Sequence, residues 1–203
     1  AFLIACVVAM LFGAFNGILV AVFKIQPMIA TLILYTAGRS IAAWINNNEL
    51  PVISDPTFTY FGEFIPGIPI PTPFFIAVAC MIIIGLVLKF TNLRLYTQAV
   101  GINENASKLN GLNPVFIKIL SFVILGLCVG VVGLIKVSRI STINYSVIAK
   151  DIEMDAILAV ALGGNALSGG KFNMMASIIG AYVIQCLTTT LYKFNVRSDA
   201  LPA

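Results

Sequence analysis

Long apolar runs alternate with short polar breaks along this chain. Ala1 to Phe23 is apolar apart from Asn16, and Pro27 to Ile45 follows, opened by a helix-starting proline and carrying Arg39. Pro73 to Phe90, Val115 to Ile135 and Phe172 to Tyr192 bring the runs near membrane-spanning length to five. Ile152 to Leu162 is shorter and acidic at its start. The pattern predicts an all-α fold: a polytopic transmembrane helix bundle of five full or partial spans, plus one short or re-entrant helix. Residues 1–203 then form a single membrane-embedded domain.

The most informative break is Thr91 to Pro114, TNLRLYTQAVGINENASKLNGLNP. A few residues would suffice to turn the chain around. This one is longer and basic on balance. Its helix-prone core, Glu104 to Leu109, is bounded by Gly101 and Gly111. Such a segment is expected to be a docking element on the wet side of the membrane, read by a soluble partner.

Loop charges orient the bundle. Asn46 to Thr72 holds Glu49, Asp55 and Glu63 without Lys or Arg, and is rich in proline. Lys89 to Lys118 holds Lys89, Arg94, Lys108 and Lys118, and Lys24 lies in the turn between the first two runs. The positive-inside rule makes the first loop external and the second cytoplasmic. Beyond residue 135 the rule weakens, because Lys136, Arg139 and Lys150 then fall on the outer side. If Ile152 to Leu162 crosses, Lys171 is inside and the C-terminus outside; if it dips and returns, the C-terminus is inside.

Composition fixes the solvent. Hydrophobic residues make up 60% and charged residues 10%, with mean hydropathy +1.02. A soluble domain carries roughly 25% charged residues, so too few polar side chains exist to clothe a water-facing surface. The net charge of +4 comes from scattered bases and gives no nucleic-acid footprint. Cys6, Cys80, Cys128 and Cys186 fall one to a run, as packing residues do, and the absence of His excludes histidine-based metal sites and triads. The chain reads as a fragment, since it opens inside an apolar run without an initiator Met or a signal-peptide pattern.

Several residues are candidates for chemistry. In DIEMDAILAVALGG, Asp151, Glu153 and Asp155 crowd the mouth of an apolar segment. They read as a helix start at the interface, favoured by the helix dipole, as a gate or substrate-path element, or as paired catalytic carboxylates, for which nothing else in the chain speaks. GGNALSGGKF, from Gly163 to Phe172, superficially resembles a phosphate-binding loop but fails at both ends. Asn165 stands where the first glycine belongs, and Phe172 where a hydroxyl must reach Mg²⁺. Its double glycines, Gly163-Gly164 and Gly169-Gly170, fit a tight bend in which backbones approach closely. Gly13 and Gly17, then Gly126, Gly130 and Gly133, mark helix-packing faces. Asn16, Gln26, Thr31, Arg39 and Gln185 are isolated polar residues suited to line a polar path, or to make interhelical hydrogen bonds or snorkel to the interface.

Together these residues resemble the membrane permease of a carbohydrate-uptake ABC transporter, of the ribose and galactofuranose type. The matching stretches are NGILVAVFKIQPMIATLIL (Asn16 to Leu34) with AGR at Ala37 to Arg39, AVGINENASKLNGLN (Ala99 to Asn113), EMDAILAVALGG (Glu153 to Gly164) and GGKFN (Gly169 to Asn173). They occur in the family's order and spacing, and the first and third lean toward the galactofuranose branch. The resemblance implies a multi-pass protein of the bacterial cytoplasmic (inner) membrane that binds no cofactor and catalyses no covalent step. It implies two cytoplasmic ABC ATPase subunits, an external sugar-binding protein, a second permease subunit and a sugar substrate as partners. It makes residues 91–114 a coupling loop, with Asn103, Glu104, Asn105, Ala106, Lys108, Leu109, Gly111 and Leu112 at the ATPase. It leaves Asn16, Gln26, Thr31, Arg39, Glu153, Asp155, Gly163 and Gly164 as candidates for the translocation path and gate. It also favours crossing by Ile152 to Leu162. Set against that resemblance, the chain is expected to be a fragment without the family's N-terminal helices and the last one. Asn105 and Ser107 also stand where relatives often carry arginine or alanine. An ion-coupled secondary transporter would need a midplane ionisable relay, and a non-transporting scaffold subunit would show no substrate-stimulated ATPase.

Overall fold

The computed structural model describes residues 2–47, 49, 51–52, 62, 70–141, 143–144, 148–150, 152–166, 169–170 and 172–194. Ala1, most of the predicted external loop with Asp55 and Glu63, Asp151, Lys171 and residues 195–203 lie outside the described residues. The described regular elements are all helices: α1 (Phe2–Ala21), α2 (Pro27–Ile45), α3 (Thr72–Phe90), α4 (Leu93–Ile102), α5 (Glu104–Leu109), α6 (Pro114–Ile140), α7 (Ile152–Leu162) and α8 (Met174–Lys193). At 1.5 Å per residue, α1, α2 and α3 are each about 30 Å long, the thickness of a bilayer's hydrocarbon core. Helices α1, α2, α3 and α6 are long and apolar enough to cross. Helix α8 has 20 residues, of which Met174–Thr190 form a shorter apolar stretch. The chain is a multi-pass membrane bundle.

Beyond shifts of one or two residues at other helix ends, two differences from the sequence reading stand out. Helix α6 does not stop at Ile135 but runs on to Ile140, so Lys136 and Arg139 lie on its last turns, not in a loop. Both ends of α6 are chemically marked. The Asn113 carboxamide oxygen accepts from Phe116 N–H at 3.2 Å, Pro114 sits at the first helical position, and Ser141 closes the helix in the left-handed region at φ 56°. Bases in the final turn are favoured by the helix dipole. The second difference is α4, which the sequence reading left as connecting loop.

Helices α1 and α6 form the packed centre, antiparallel and backbone to backbone. A methyl group added at Gly17 would lie 2.9 Å from the Ile119 Cα, and one at Gly126 would lie 2.5 Å from the Ala9 carbonyl oxygen. Gly13 faces Phe122 and Gly126, and Gly130 faces Ala9 and Cys6. Lipid gives no hydrophobic drive between helices, so close approach of small residues is what this pair gains from packing. Gly133 does not belong to the seam: nothing lies within 4 Å of the position its methyl would take. It shares a face with Gly126, seven residues back, but lies past the point where α1 approaches closely. At the far end of α6, Gly62 abuts the backbone of Ser138 and Arg139, and Ile143 N–H donates to the Pro51 carbonyl at 3.1 Å. Pro51 and Gly62 therefore lie at the end of α6 opposite α4 and α5.

Helices α7 and α8 form a second antiparallel pair. Gly163 meets the backbone of Ala176 and Ser177, and Gly180 meets that of Ala159 and Gly163. The bend joining them lies on the α4 side, where Gly101 approaches Gly170. At the other end, Arg39 Nη2 donates to the Ile148 carbonyl at 3.2 Å, four residues before α7 starts. Arg39 stands 12 residues along α2 from Pro27, about 18 Å, and the 11 residues of α7 rise about 16 Å. The lengths agree. Helix α7 thus reaches from the level of Arg39 to the α4 side, and α8 runs back antiparallel to it.

Candidate functional site

The α4–α5 element is built around Asn103. Its extended backbone (φ −154°, ψ 105°) ends α4 and starts α5. Its N–H closes α4 on the Ala99 carbonyl at 3.1 Å. Its side-chain oxygen accepts from Ala106 N–H at 3.0 Å, and its carbonyl accepts from the Ser107 hydroxyl at 2.9 Å. This is N-capping, worth about 1 kcal/mol relative to alanine. Glu104 in the first turn and Lys108 in the last match the helix dipole. The exit is fixed as firmly: Asn110 Nδ2 donates to the Ala106 carbonyl at 2.9 Å, and Leu112 N–H to the Ser107 carbonyl at 3.1 Å. Gly111 takes φ +80°, which a side chain would resist.

Ser107 is the anchor, only 4% exposed, whereas Leu109 is 90% exposed and Ile102 67%. Asn105, Ala106 and Lys108 are exposed beside Leu109, and Leu112 is half-buried. Glu104 Oε2 and Lys118 Nζ form an ion pair at 2.6 Å that joins α5 to α6. Both side chains are partly in water, so its worth is about 0–1 kcal/mol, a register mark more than a clamp. Sequence reasoning found α5 but missed α4. Gly101, taken as the edge of the helical core, lies inside α4, where Val100 is buried. The available signal was helical spacing: Leu93, Thr97 and Val100 fall on one sheltered face, with Arg94 exposed on another.

The bend from Gly163 to Asn173 is organised by Asn165. Its Nδ2 donates to the Ser177 hydroxyl at 2.8 Å, and its Oδ1 accepts from Asn173 N–H. Gly164, Gly169 and Gly170 have φ of 72°, 95° and 107°. The asparagine that breaks the phosphate-loop pattern is thus the centre of the bend. Replacing Asn165 with Ala should lower the thermal midpoint of the solubilised protein by several degrees, because Asn173 and Ser177 lose their partner; differential scanning fluorimetry reads this.

The remaining candidates are dispersed. Asn16, on α1, is 6% exposed, and its Oδ1 has no hydrogen-bond partner. Gln26 is exposed at the start of α2 and makes no capping bond. The Thr31 hydroxyl donates to the carbonyls of Pro27 and Met28 at 3.0 Å each, within its own helix. The Arg39 guanidinium, besides holding Ile148, lies 4.4 Å from the centre of the Tyr35 ring, a cation–π distance. Glu153 is half-buried and Asp155 exposed on α7. Arg39→Met should therefore loosen the start of α7, seen as several-fold faster amide exchange at Ile148 to Lys150, with the α1–α6 pair unchanged. A cavity of about 680 Å³ lies between the end of α3, α4 and the start of α8, lined by Lys89, Arg94, Gln98 and Asn173 among others. None of the path candidates lines it.

Comparison with known proteins assigns the architecture. The chain is 41% identical over 177 residues to the galactofuranose transporter permease protein of Escherichia coli (strain K12), covering 87% of this chain and 52% of that protein. It is 36% identical over 206 residues to the fructose import permease protein of Bifidobacterium longum (strain NCC 2705), covering 99% and 57%. It is 35% identical over 190 residues to the ribose import permease protein of Escherichia coli (strain K12), covering 92% and 59%. The chain thus spans between half and three fifths of the length of these relatives. No solved structure matches. The model of the branched-chain amino acid transport system / permease component family matches residues 1–201, and with the multi-pass bundle and its α4–α5 element already described, the chain belongs to that family.

Proposed function

We propose that the chain is the translocating part of a sugar-importer permease in the bacterial cytoplasmic membrane. It pairs with a second permease subunit, takes sugar from an external binding protein and is driven by separate ABC ATPases. The observation that carries this reading is the α4–α5 element. It is capped at both ends, tied to α6 by the Glu104–Lys118 pair, and offers Leu109 and Ile102 bare to solvent. An apolar tip on the basic side of a membrane protein fits a cleft in a soluble partner. The named relatives are importers of galactofuranose, fructose and ribose, which supports a monosaccharide as the cargo class.

The path would run beside Asn16, whose orphaned acceptor sits in an otherwise apolar interior, with Arg39, Glu153 and Asp155 toward the far side. Gln26 and Thr31 flank the near end of α2, and Gly163 with Gly164 would let the α7–α8 bend move. A buried, unsatisfied carboxamide is a cost that function can justify. Asn16→Leu is expected to hold or raise thermal stability while lowering sugar uptake several-fold; stability unchanged with uptake unchanged would remove Asn16 from the path.

The test of the whole reading uses the full-length protein in proteoliposomes with its ATPase and binding protein. Sugar-loaded binding protein should stimulate ATP hydrolysis, and labelled sugar should accumulate only with ATP inside. Uptake driven by an ion gradient without ATP would make the protein a secondary carrier. Assembly without any sugar-dependent hydrolysis would make it a scaffold subunit.

A further inference from the structure

Two elements that lie far apart in sequence touch through bare backbone. A methyl at Gly101, one residue before the end of α4, would lie 2.8 Å from Gly170 N and 3.4 Å from its Cα. A methyl at Gly169 would lie 3.1 Å from the Gly101 carbonyl oxygen. Neither neighbour is the tip of a side chain that swings aside, so α4 and the α7–α8 bend are in direct main-chain contact. Around this contact Thr97, Ser121, Ala166 and Phe172 line a cavity of about 310 Å³. Both sides of the contact are mechanically continuous. Asn103 is shared by α4 and α5, and Asn165 binds the bend to α8 through Asn173 and Ser177. The glycines at 163 and 180 then press α7 and α8 together.

We infer that Gly101, Gly169 and Gly170 are positioning residues for transport: their contact passes displacement of the α4–α5 element to the α7–α8 pair. The inference rests on the ATPase docking at α5 proposed above. Packed backbones of this kind move as a unit or not at all, because there is no rotamer to absorb the shift. The void beside the contact gives the bend room to travel, and Gly169 and Gly170 at φ 95° and 107° give it backbone freedom. A side chain at position 101 would wedge the two elements apart. The ATPase would then still close on α5, and α7 and α8 would no longer follow.

The experiment measures sugar taken up per ATP hydrolysed in proteoliposomes of the full-length protein with its ATPase and binding protein. Gly101→Val should keep at least half of binding-protein-stimulated hydrolysis while uptake falls at least tenfold, and Gly101→Ala should fall between. A reversible lock covers the case in which valine prevents folding. With Thr97→Cys and Ala166→Cys in a background lacking the native cysteines, a bifunctional thiol cross-linker with a cleavable disulfide should abolish uptake, and reductant should restore it. Unchanged sugar per ATP in Gly101→Val, or full uptake in the cross-linked protein, overturns the inference. Wild-type protein whose hydrolysis ignores the sugar-loaded binding protein would instead overturn the importer reading itself.

Discussion

Leucine at Gly13 or Gly126 is expected to remove the folded protein from the membrane. Each glycine faces backbone of the opposite helix: Gly13 the Phe122 carbonyl, Gly126 the Ala9 carbonyl at 2.5 Å from the added carbon. Backbone cannot turn aside, so the helices must separate by the thickness of a side chain, about 2 Å or more, along most of their contact. Overpacking one site costs typically 1–3 kcal/mol, and a forced separation of two helices exceeds that because many dispersion contacts weaken together. Membrane yield and the monodisperse fraction in detergent should both fall at least tenfold. Leucine at Gly38, Gly85 or Gly133 is the control, since an added methyl meets nothing within 4 Å at any of them. Those variants should express normally and gain slightly in helix propensity. If all five variants behave alike, close approach is not what holds α1 to α6.

Leu109→Asp should abolish ATP-driven uptake while leaving the bundle intact. The side chain is 90% exposed, so the isolated protein loses nothing when it changes. Docked in an apolar cleft, the same position would carry an unpaired carboxylate, and truncation of a central anchor alone costs about 2 kcal/mol or more. That corresponds to roughly thirty-fold in affinity. Pull-down of the ATPase should fail and sugar-stimulated hydrolysis should fall by at least tenfold, with melting behaviour unchanged. Lys108→Ala, also exposed but charged and flexible, should have a several-fold smaller effect. Retained ATPase binding in Leu109→Asp would move the docking surface elsewhere on the basic side.

Much of this architecture is written in the apolar runs. Helix α7 was bounded correctly as Ile152 to Leu162, and α2 and α3 to within a residue, because proline opens both α2 and α3 and a polar residue ends each. What pattern could not supply was partnership. Periodicity marks Gly126, Gly130 and Gly133 alike, and only the reach of α1 along α6 separates the first two from the third. Helix α4 stayed hidden because its ten residues sit inside one polar break between apolar runs, which reads as connecting loop. Arg39 read as either a snorkelling or a path residue; its hold on Ile148 depends on a segment 109 positions away. The candidate site divides in the same way. The capped α5 helix is local and legible, whereas the meeting of Gly101 with Gly170 exists only in three dimensions. The path candidates remain separate on α1, α2 and α7, so their joint role is a proposal for the complete transporter.

The extension of α6 has a further consequence. Lys118 and Lys136 stand 18 residues apart on one continuous helix, about 27 Å, and the residues between them carry no charge. The pair of ammonium groups acts as a caliper set slightly below the usual hydrocarbon thickness. In membranes of longer acyl chains the helix must tilt less or the lysines must reach further. The lower lysine is the one tied to Glu104 on α5. Lipid chain length should thus reach the α4–α5 element directly, and membranes matched to the caliper should favour the posture in which Glu104 and Lys118 stay paired.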